Sequence, residues 1–528
     1  MTEKNLYLLD CTLRDGGYIN NWKWGNSSIK AIISLLEKAN IDIIEVGFLR
    51  NVEQEDDSIN VGNTIGFLNQ FLPPKIMKET KFCAMLMRSN YDISKLDTYK
   101  GEGIDFIRVT AHEYDLDEGI ECAKEIKKKG YKVSFNPINI MGYSDEEILK
   151  IIEKVNILNP YQFSIVDTFG SMRRNDLNRI TELVDHNLNN DIRLGLHLHE
   201  NMSLSCSLVQ MFLEKNLKRS ITIDGSLFGM GRIPGNLPLE LIADYLNETR
   251  ETRYDLDYLL DAIQLYISSY KQPSAWGYAP AYFLSARYNL HRNYAEHLLD
   301  KENLTVKDIN HILSRIEESQ KAVYNELYID KLYEEYLDHE IDDANTVKEL
   351  AYSIGSKDNI IVLAPGNSLI RYKEFITDYI NKKRGIVFTL NFVPNDYVEC
   401  NYIFFSNNKR FNIAPGIKKC KIIGTSNLRN SDIDYYVNYN SLVGTNNRTN
   451  ISIVLLLRLL EKIGVKKVDI AGADGYSERG YQYFDDALSV RVPSINHDVE
   501  VISALKNLQL DINFLTPSPY NIKDTKEK

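Results

Sequence analysis

Short runs dense in Leu, Ile, Val and Phe recur along the first half of the chain. Each is followed by a stretch in which apolar positions return every three or four residues. The runs fall at residues 6–13, 41–48, 81–87, 104–111, 132–138, 162–167, 193–199 and 220–227. Between them lie amphipathic stretches such as 28–39, 118–129, 145–155, 174–187 and 204–215. Such alternation reads as strand then helix. Eight units within residues 1–245 predict a (β/α)8 TIM barrel. An open doubly wound sheet uses the same units; their number and the placement of polar residues favour closure.

Residues 246–355 read as a mainly helical extension, clearest at 255–269, 279–288, 306–319 and 347–352. From 356 to 528 the alternation resumes. Strands are expected at 360–364, 385–390, 402–406, 419–424 and 467–471, and helices at 372–383 and 453–463. That predicts a smaller α/β, Rossmann-like domain. The tail from Thr516, with Pro517 and Pro519, is expected to fray.

Composition narrows the class. The chain of 528 residues is 44% hydrophobic and 26% charged, enough to bury a large core. A net charge of -11 argues against a nucleic-acid surface. The lysine runs at 127–129 and 382–384 (the latter ending in Arg384) close helical stretches, where cations complement the helix dipole. The six cysteines are scattered without a CxxC pair, which fits free thiols in a reducing compartment. A polar start at residues 1–5 gives no signal-peptide pattern, and no apolar run approaches the ~20 residues of a membrane span. A cytoplasmic protein is expected.

The chemistry concentrates in two places. In the run ending the seventh unit, Gly195, His197 and His199 share one face and Leu194, Leu196 and Leu198 the other. Two inward imidazoles at the carboxyl end of a barrel strand suit a divalent metal. The bland alternative is a hydrogen-bonded pair of core histidines. The first run ends in Arg14, Asp15, Gly16 and Gly17. It brings a carboxylate to the same rim, completing an N,N,O set with open positions, while Arg14 offers a planar donor to an oxyanion. A structural Asp–Arg pair at a glycine turn is the competing explanation.

Residues 9–16 and the His197-Leu198-His199 strand resemble the DRE-TIM metallolyases. The aldolase branch, of the 4-hydroxy-2-oxovalerate aldolase type, is most similar. The stretch 197–204 resembles its HxHxNLSL run, residues 229–236 its glycine-rich turn after strand eight, and 277–279 its GYA segment. The resemblance spans roughly residues 5–320. It implies that Asp15, His197 and His199 ligate a metal such as Mn²⁺ or Mg²⁺. It also implies that Arg14 stabilises an enolate, that Glu45 braces Arg14 and that Asn236 lies near the metal. Arg108 and His112 are expected as substrate contacts, with structural packing an equal alternative for Arg108, and Asp167 and Ser171 are expected to line the pocket. One departure is evident: the aldolases carry a histidine base where this chain has Tyr18. A phenol ordinarily ionises far above neutral pH, so Tyr18, Tyr278, His112 or a metal-bound water would carry the proton.

The expected activity is that of an aldolase acting through a metal-bound enolate of a 2-oxo acid such as pyruvate, with an aldehyde as partner. A Claisen-type acyl-CoA synthase and an inactive barrel scaffold are the alternatives. In the second domain, Gly366, Asn367 and Ser368 follow a strand as a phosphate-cradling turn would, and Asp474 sits at a second rim. This part distantly resembles sialyltransferase and pterin-pyrophosphokinase-like domains. The resemblance implies a nucleotide or phosphorylated ligand and a role in surface-glycan or sugar-acid synthesis. Homo-oligomers are expected.

Overall fold

The computed structural model describes residues 6–74, 79–250, 252–271, 276–301, 303–355, 359–392, 399–412, 420–428, 432–444, 448–475 and 497–521. Lys419 and the tail beyond 521, both included in the sequence reading, lie outside them. The chain divides into two compact units, residues 1–292 with 317–324, and residues 293–316 with 325–528.

The first unit is a closed barrel of eight parallel strands. These are β1 (Leu6–Asp10), β2 (Ile43–Leu49), β3 (Lys81–Met87), β4 (Phe106–Ala111), β5 (Lys132–Pro137), β6 (Gln162–Asp167), β7 (Arg193–Leu198) and β8 (Ile221–Gly225). Each pairs with the next, and β1 pairs with both β8 and β2, which closes the ring. Outward residues such as Leu194, Leu196 and Leu198 are buried against the surrounding helices, as period-two alternation requires. Inside, Leu9, Cys11, Ile43, Cys83 and Phe106 form an apolar plug flanked by Tyr7 and Tyr161. Beyond that plug the interior becomes charged: Glu45, Arg108 and Asp224 are all buried.

The expected boundary at residue 245 is corrected. Leu259, Ala262, Ile263, Ile267 and Trp276 belong to the barrel's own hydrophobic core. Asp42 ties the following segment to the barrel floor: its Oδ2 accepts from Leu8 N at 2.8 Å and from the Tyr254 hydroxyl at 2.9 Å, and also pairs with Arg253. What reads as one helical extension is therefore shared between two units. Apolar periodicity reports that a helix has a buried face, not which core buries it.

The second unit contains a seven-stranded, all-parallel sheet. Its strands are β9 (Ile360–Leu363), β10 (Ile386–Leu390), β11 (Tyr402–Phe405), β12 (Lys421–Thr425), β13 (Tyr435–Val437), β14 (Lys467–Ala471) and β15 (Asp511–Phe514). The spatial order is β13-β12-β11-β10-β9-β14-β15, so the winding reverses between β9 and β14. Cys400 and Cys420 are disulfide-bonded, Cα to Cα 6.0 Å, which corrects the expectation of six free thiols. They precede β11 and β12, adjacent parallel strands whose register brings two distant residues together. Among the described residues no helix is long and apolar enough to cross a membrane.

Candidate metal centre

At the carboxyl end of β1 the chain folds into a buried helical turn, Thr12–Asp15. Asp10 sets its start: its carboxylate accepts from Thr12 N at 3.0 Å and from the Thr12 hydroxyl at 2.6 Å. The turn carries Arg14 and Asp15 into the barrel mouth. Asp15, His197 and His199 each present a ligand atom, and these atoms lie within 4.8 Å of one another.

Each ligand is oriented by a partner behind it. His199 Nδ1 donates to the Asp167 carbonyl at 2.9 Å, leaving Nε2 with its lone pair facing Asp15. His197 Nδ1 lies 3.2 Å from Asp224 Oδ2, leaving its Nε2 for a metal. Asn236 Nδ2 donates to Asp15 Oδ2 at 2.6 Å, and its buried Oδ1 has no donor among the described residues. Gly231 permits this approach, because a Cβ there would fall 2.6 Å from Asp15 Oδ2.

Protonation matches ligation. Burial raises the Asp15 carboxyl, but Arg14, His199 and His197 outweigh it and bring it down to about 2. Burial and then His197 push the His199 imidazole down to about 4. At neutral pH the site therefore offers a carboxylate and an unprotonated imidazole, the forms that bind metal. An N,N,O donor set of two imidazoles and one carboxylate, each with a partner already in place behind it, fits a divalent ion.

A chain of buried charges underlies the site. Arg14 Nε donates to Glu45 Oε2 at 2.7 Å and Nη1 to Asp15 Oδ1 at 2.5 Å. Glu45 Oε1 lies 3.2 Å from Arg108 Nη1, and Arg108 also pairs with Asp224. Burial raises Asp224, but Arg108 and then the His197 hydrogen bond lower it overall. The pocket above is lined by Arg14, Asp15, Tyr18, Arg108, His112, His197, His199, Arg232, His291 and Arg292, among others.

Glu45 braces Arg14, the role the resemblance implies, and holds Arg108 as well. Other expectations change. Arg108 lines the pocket, but two carboxylates engage its guanidinium, so positioning accounts for its burial. Asp167 and Ser171 do not line it. The Asp167 carboxylate accepts from Ser171 N at 2.9 Å and Met172 N at 3.0 Å and so shapes the loop, while Ser171 Oγ lies 3.0 Å from Asn289 Oδ1. Tyr278 is 58% exposed and outside the pocket, which removes it as a candidate base. Tyr18 lines the pocket, its hydroxyl accepting from Arg50 Nη2 at 3.3 Å. His112 lines it too, stacked on Tyr114.

In the second unit the phosphate-cradling turn is already filled. Asp474 Oδ2 accepts from Ser368 N at 2.7 Å, and its Oδ1 accepts from the Ser368 hydroxyl. A Cβ on Gly366 would meet Asp474 Cγ at 2.5 Å, so the glycine serves this close packing. Asn367 precedes the short helix Ser368–Arg371. The amide that a phosphate would use is bonded to a carboxylate of the same chain.

Asp224, Arg232, His291 and Arg292 were missed. The alternation of Ile221, Thr222, Ile223 and Asp224 points Asp224 inward and could have revealed it. The others reach the pocket through loops whose course no local pattern encodes.

The chain is 22% identical over 331 residues to oxaloacetate decarboxylase of Mycobacterium tuberculosis, covering 60% of this chain and 93% of that protein. It is 26% identical over 268 residues to 4-hydroxy-2-oxovalerate aldolase of Marinomonas sp., covering 49% and 76%. HMG-CoA lyase of Brucella melitensis is a structural neighbour at 17% identity and TM-score 0.42, covering 51% of this chain and 99% of that one. Residues 107–265 match the HMGL-like family model, so this part of the chain belongs to an HMGL-like (DRE-TIM metallolyase) domain.

Proposed function

We propose that the barrel is a divalent-metal-dependent carbon–carbon lyase of the aldolase type, acting on a 2-oxo acid through its enolate. The observation that carries this reading is the convergence of Asp15, His197 and His199 beside Arg14 at the mouth of the barrel. A bound divalent ion would supply Lewis acidity to the substrate's keto group. Glu45 and Asp15 occupy Nε and Nη1 of Arg14, and the guanidinium still lines the pocket, so its remaining N–H groups are available to a developing oxyanion. Fixing Arg14 in advance removes reorganisation from the reacting step. Tyr18 and His112 line the same pocket and are the groups within it to move the proton of a 4-hydroxyl.

Tyr18 favours a second reading within the same chemistry. Its hydroxyl accepts from Arg50 and, among the described residues, hydrogen-bonds to no carboxylate, whereas loss of CO2 from a 2-oxo diacid reaches the same enolate without a base on a hydroxyl. The decarboxylase among the relatives is in keeping with this.

The test is exchange of pyruvate methyl protons in D2O, with metal removed and restored, alongside cleavage of 4-hydroxy-2-oxovalerate and decarboxylation of oxaloacetate. Metal-dependent exchange that falls to background in Asp15→Asn and His197→Ala, with melting of both variants still cooperative, is the expected result. Equal exchange in apo and metal-restored protein would overturn the reading.

A further inference from the structure

Two of the arginines that line the pocket are paired with carboxylates. Arg14 is paired with Glu45 and Asp15, and Arg108 with Glu45 and Asp224. Arg232 differs. It follows Gly231, the residue packed against Asp15, and so enters the pocket one residue from the ligand cluster. Among the described residues no carboxylate lies within ion-pair distance of it. Its recorded neighbours are the His291 ring, with Nη2 3.0 Å from Nε2, and the Tyr18 ring, 5.6 Å from the guanidinium carbon.

Burial, then the Arg232 and Arg292 guanidinium groups and His112, push the His291 imidazole down to about 3. A neutral His291 accepts from Arg232 at Nε2, which aims the guanidinium while cancelling none of its charge. The ring is held in turn by stacking near Tyr324 and an edge contact with Phe169. Arg292 Nη1 donates to the Ile233 carbonyl at 3.0 Å, pinning the loop that carries Arg232. A cation fixed in a half-buried pocket without a counter-charge suits an anion brought in by the ligand.

Resting on the lyase reading above, we propose that Arg232, aimed by His291, binds a second anionic group of the substrate. The fragment released or added at the enolate carbon would then carry a carboxylate or a phosphate in place of a neutral tail. Arg232 acts here on specificity and takes no part in bond cleavage.

The test compares cleavage of matched pairs by the full-length, metal-loaded chain. For the carboxylate arm, 4-hydroxy-2-oxoglutarate is set against 4-hydroxy-2-oxovalerate, which has a methyl at that position. For the phosphate arm, the pyruvate adduct of glyceraldehyde 3-phosphate is set against that of glyceraldehyde. One charged member should exceed its neutral partner at least about tenfold in kcat/KM, the scale of one charge-assisted hydrogen bond. Which arm shows the preference identifies the anion. In Arg232→Gln that ratio should fall to within about twofold of unity through KM, and Arg232→Lys should restore part of it. Equal or reversed ratios in a chain that exchanges pyruvate protons would overturn the anion site and leave the enolate chemistry standing. An unchanged ratio in Arg232→Gln would also overturn it. Absence of exchange would overturn both.

Discussion

Glu45 illustrates how a single side chain sets a site it does not enter. Its two carboxylate oxygens hold Arg14 and Arg108, both buried and both charged. Glu45→Gln would leave two guanidinium groups short of counter-charge inside the barrel. Breaking a buried ion pair from one side costs about 3–5 kcal/mol, so urea denaturation should show a loss of that order, together with reduced exchange activity. His291 gives a pH prediction of defined sign. Its folded imidazole titrates at about 3, below the ordinary value of 6.5. The unfolded chain takes up a proton first, so this residue's contribution is complete above pH 6.5 and is lost as pH falls toward 3. The wild-type acid slope of stability should exceed that of His291→Asn by up to about 1.4 kcal/mol per pH unit, for one proton. Identical slopes in paired melts would refute this.

At the scale of elements, the barrel strands were legible because each combines an apolar outer face with sequence-local alternation. The site was legible where it lies on them: His197 by strand period, Arg14 and Asp15 by the turn after β1. Loops were harder. Asp474 and Ser368 are 106 residues apart, and only the adjacency of β9 and β14 brings them together. The sequence suggested a ligand at this reversal of winding, and the fold put a carboxylate there. Asp474→Ala should expose the start of the helix Ser368–Arg371 and cost about 1–3 kcal/mol, because the Ser368 N–H loses its acceptor. The readout is hydrogen exchange at residues 366–371; unaltered protection would contradict the assignment. Cys400 and Cys420 were missed for the same reason, since their pairing belongs to strand register and not to spacing.

For the whole molecule, the instructive error is the boundary at 245. A fragment ending there lacks Leu259, Ile263, Ile267 and Trp276 from the barrel core, along with Leu290, His291 and Arg292 from the pocket. It should aggregate or melt without cooperativity. A fragment ending at 325 retains every described residue of the first unit and should bind one equivalent of Mn²⁺ with a cooperative transition. Equal behaviour of the two fragments in calorimetry would show that the segment 246–324 is dispensable. Composition and periodicity could not reveal this, because they describe faces of helices and the question is which core each face joins.

The return of residues 317–324 to the first unit also orders events during synthesis. The barrel strands are complete once Gly225 has been made, yet Ala322 lines the pocket and Tyr324 stacks near His291. Between Arg292 and Tyr324 the ribosome adds 32 residues, all but the last eight belonging first to the other unit. At ordinary elongation rates that takes roughly 2–6 s. For that interval a nascent chain holds Asp15, His197 and His199 in a pocket with one wall missing. Ligand exclusion, and any specificity that depends on a closed pocket, therefore arrives later than the cluster of Asp15, His197 and His199 in the life of each molecule.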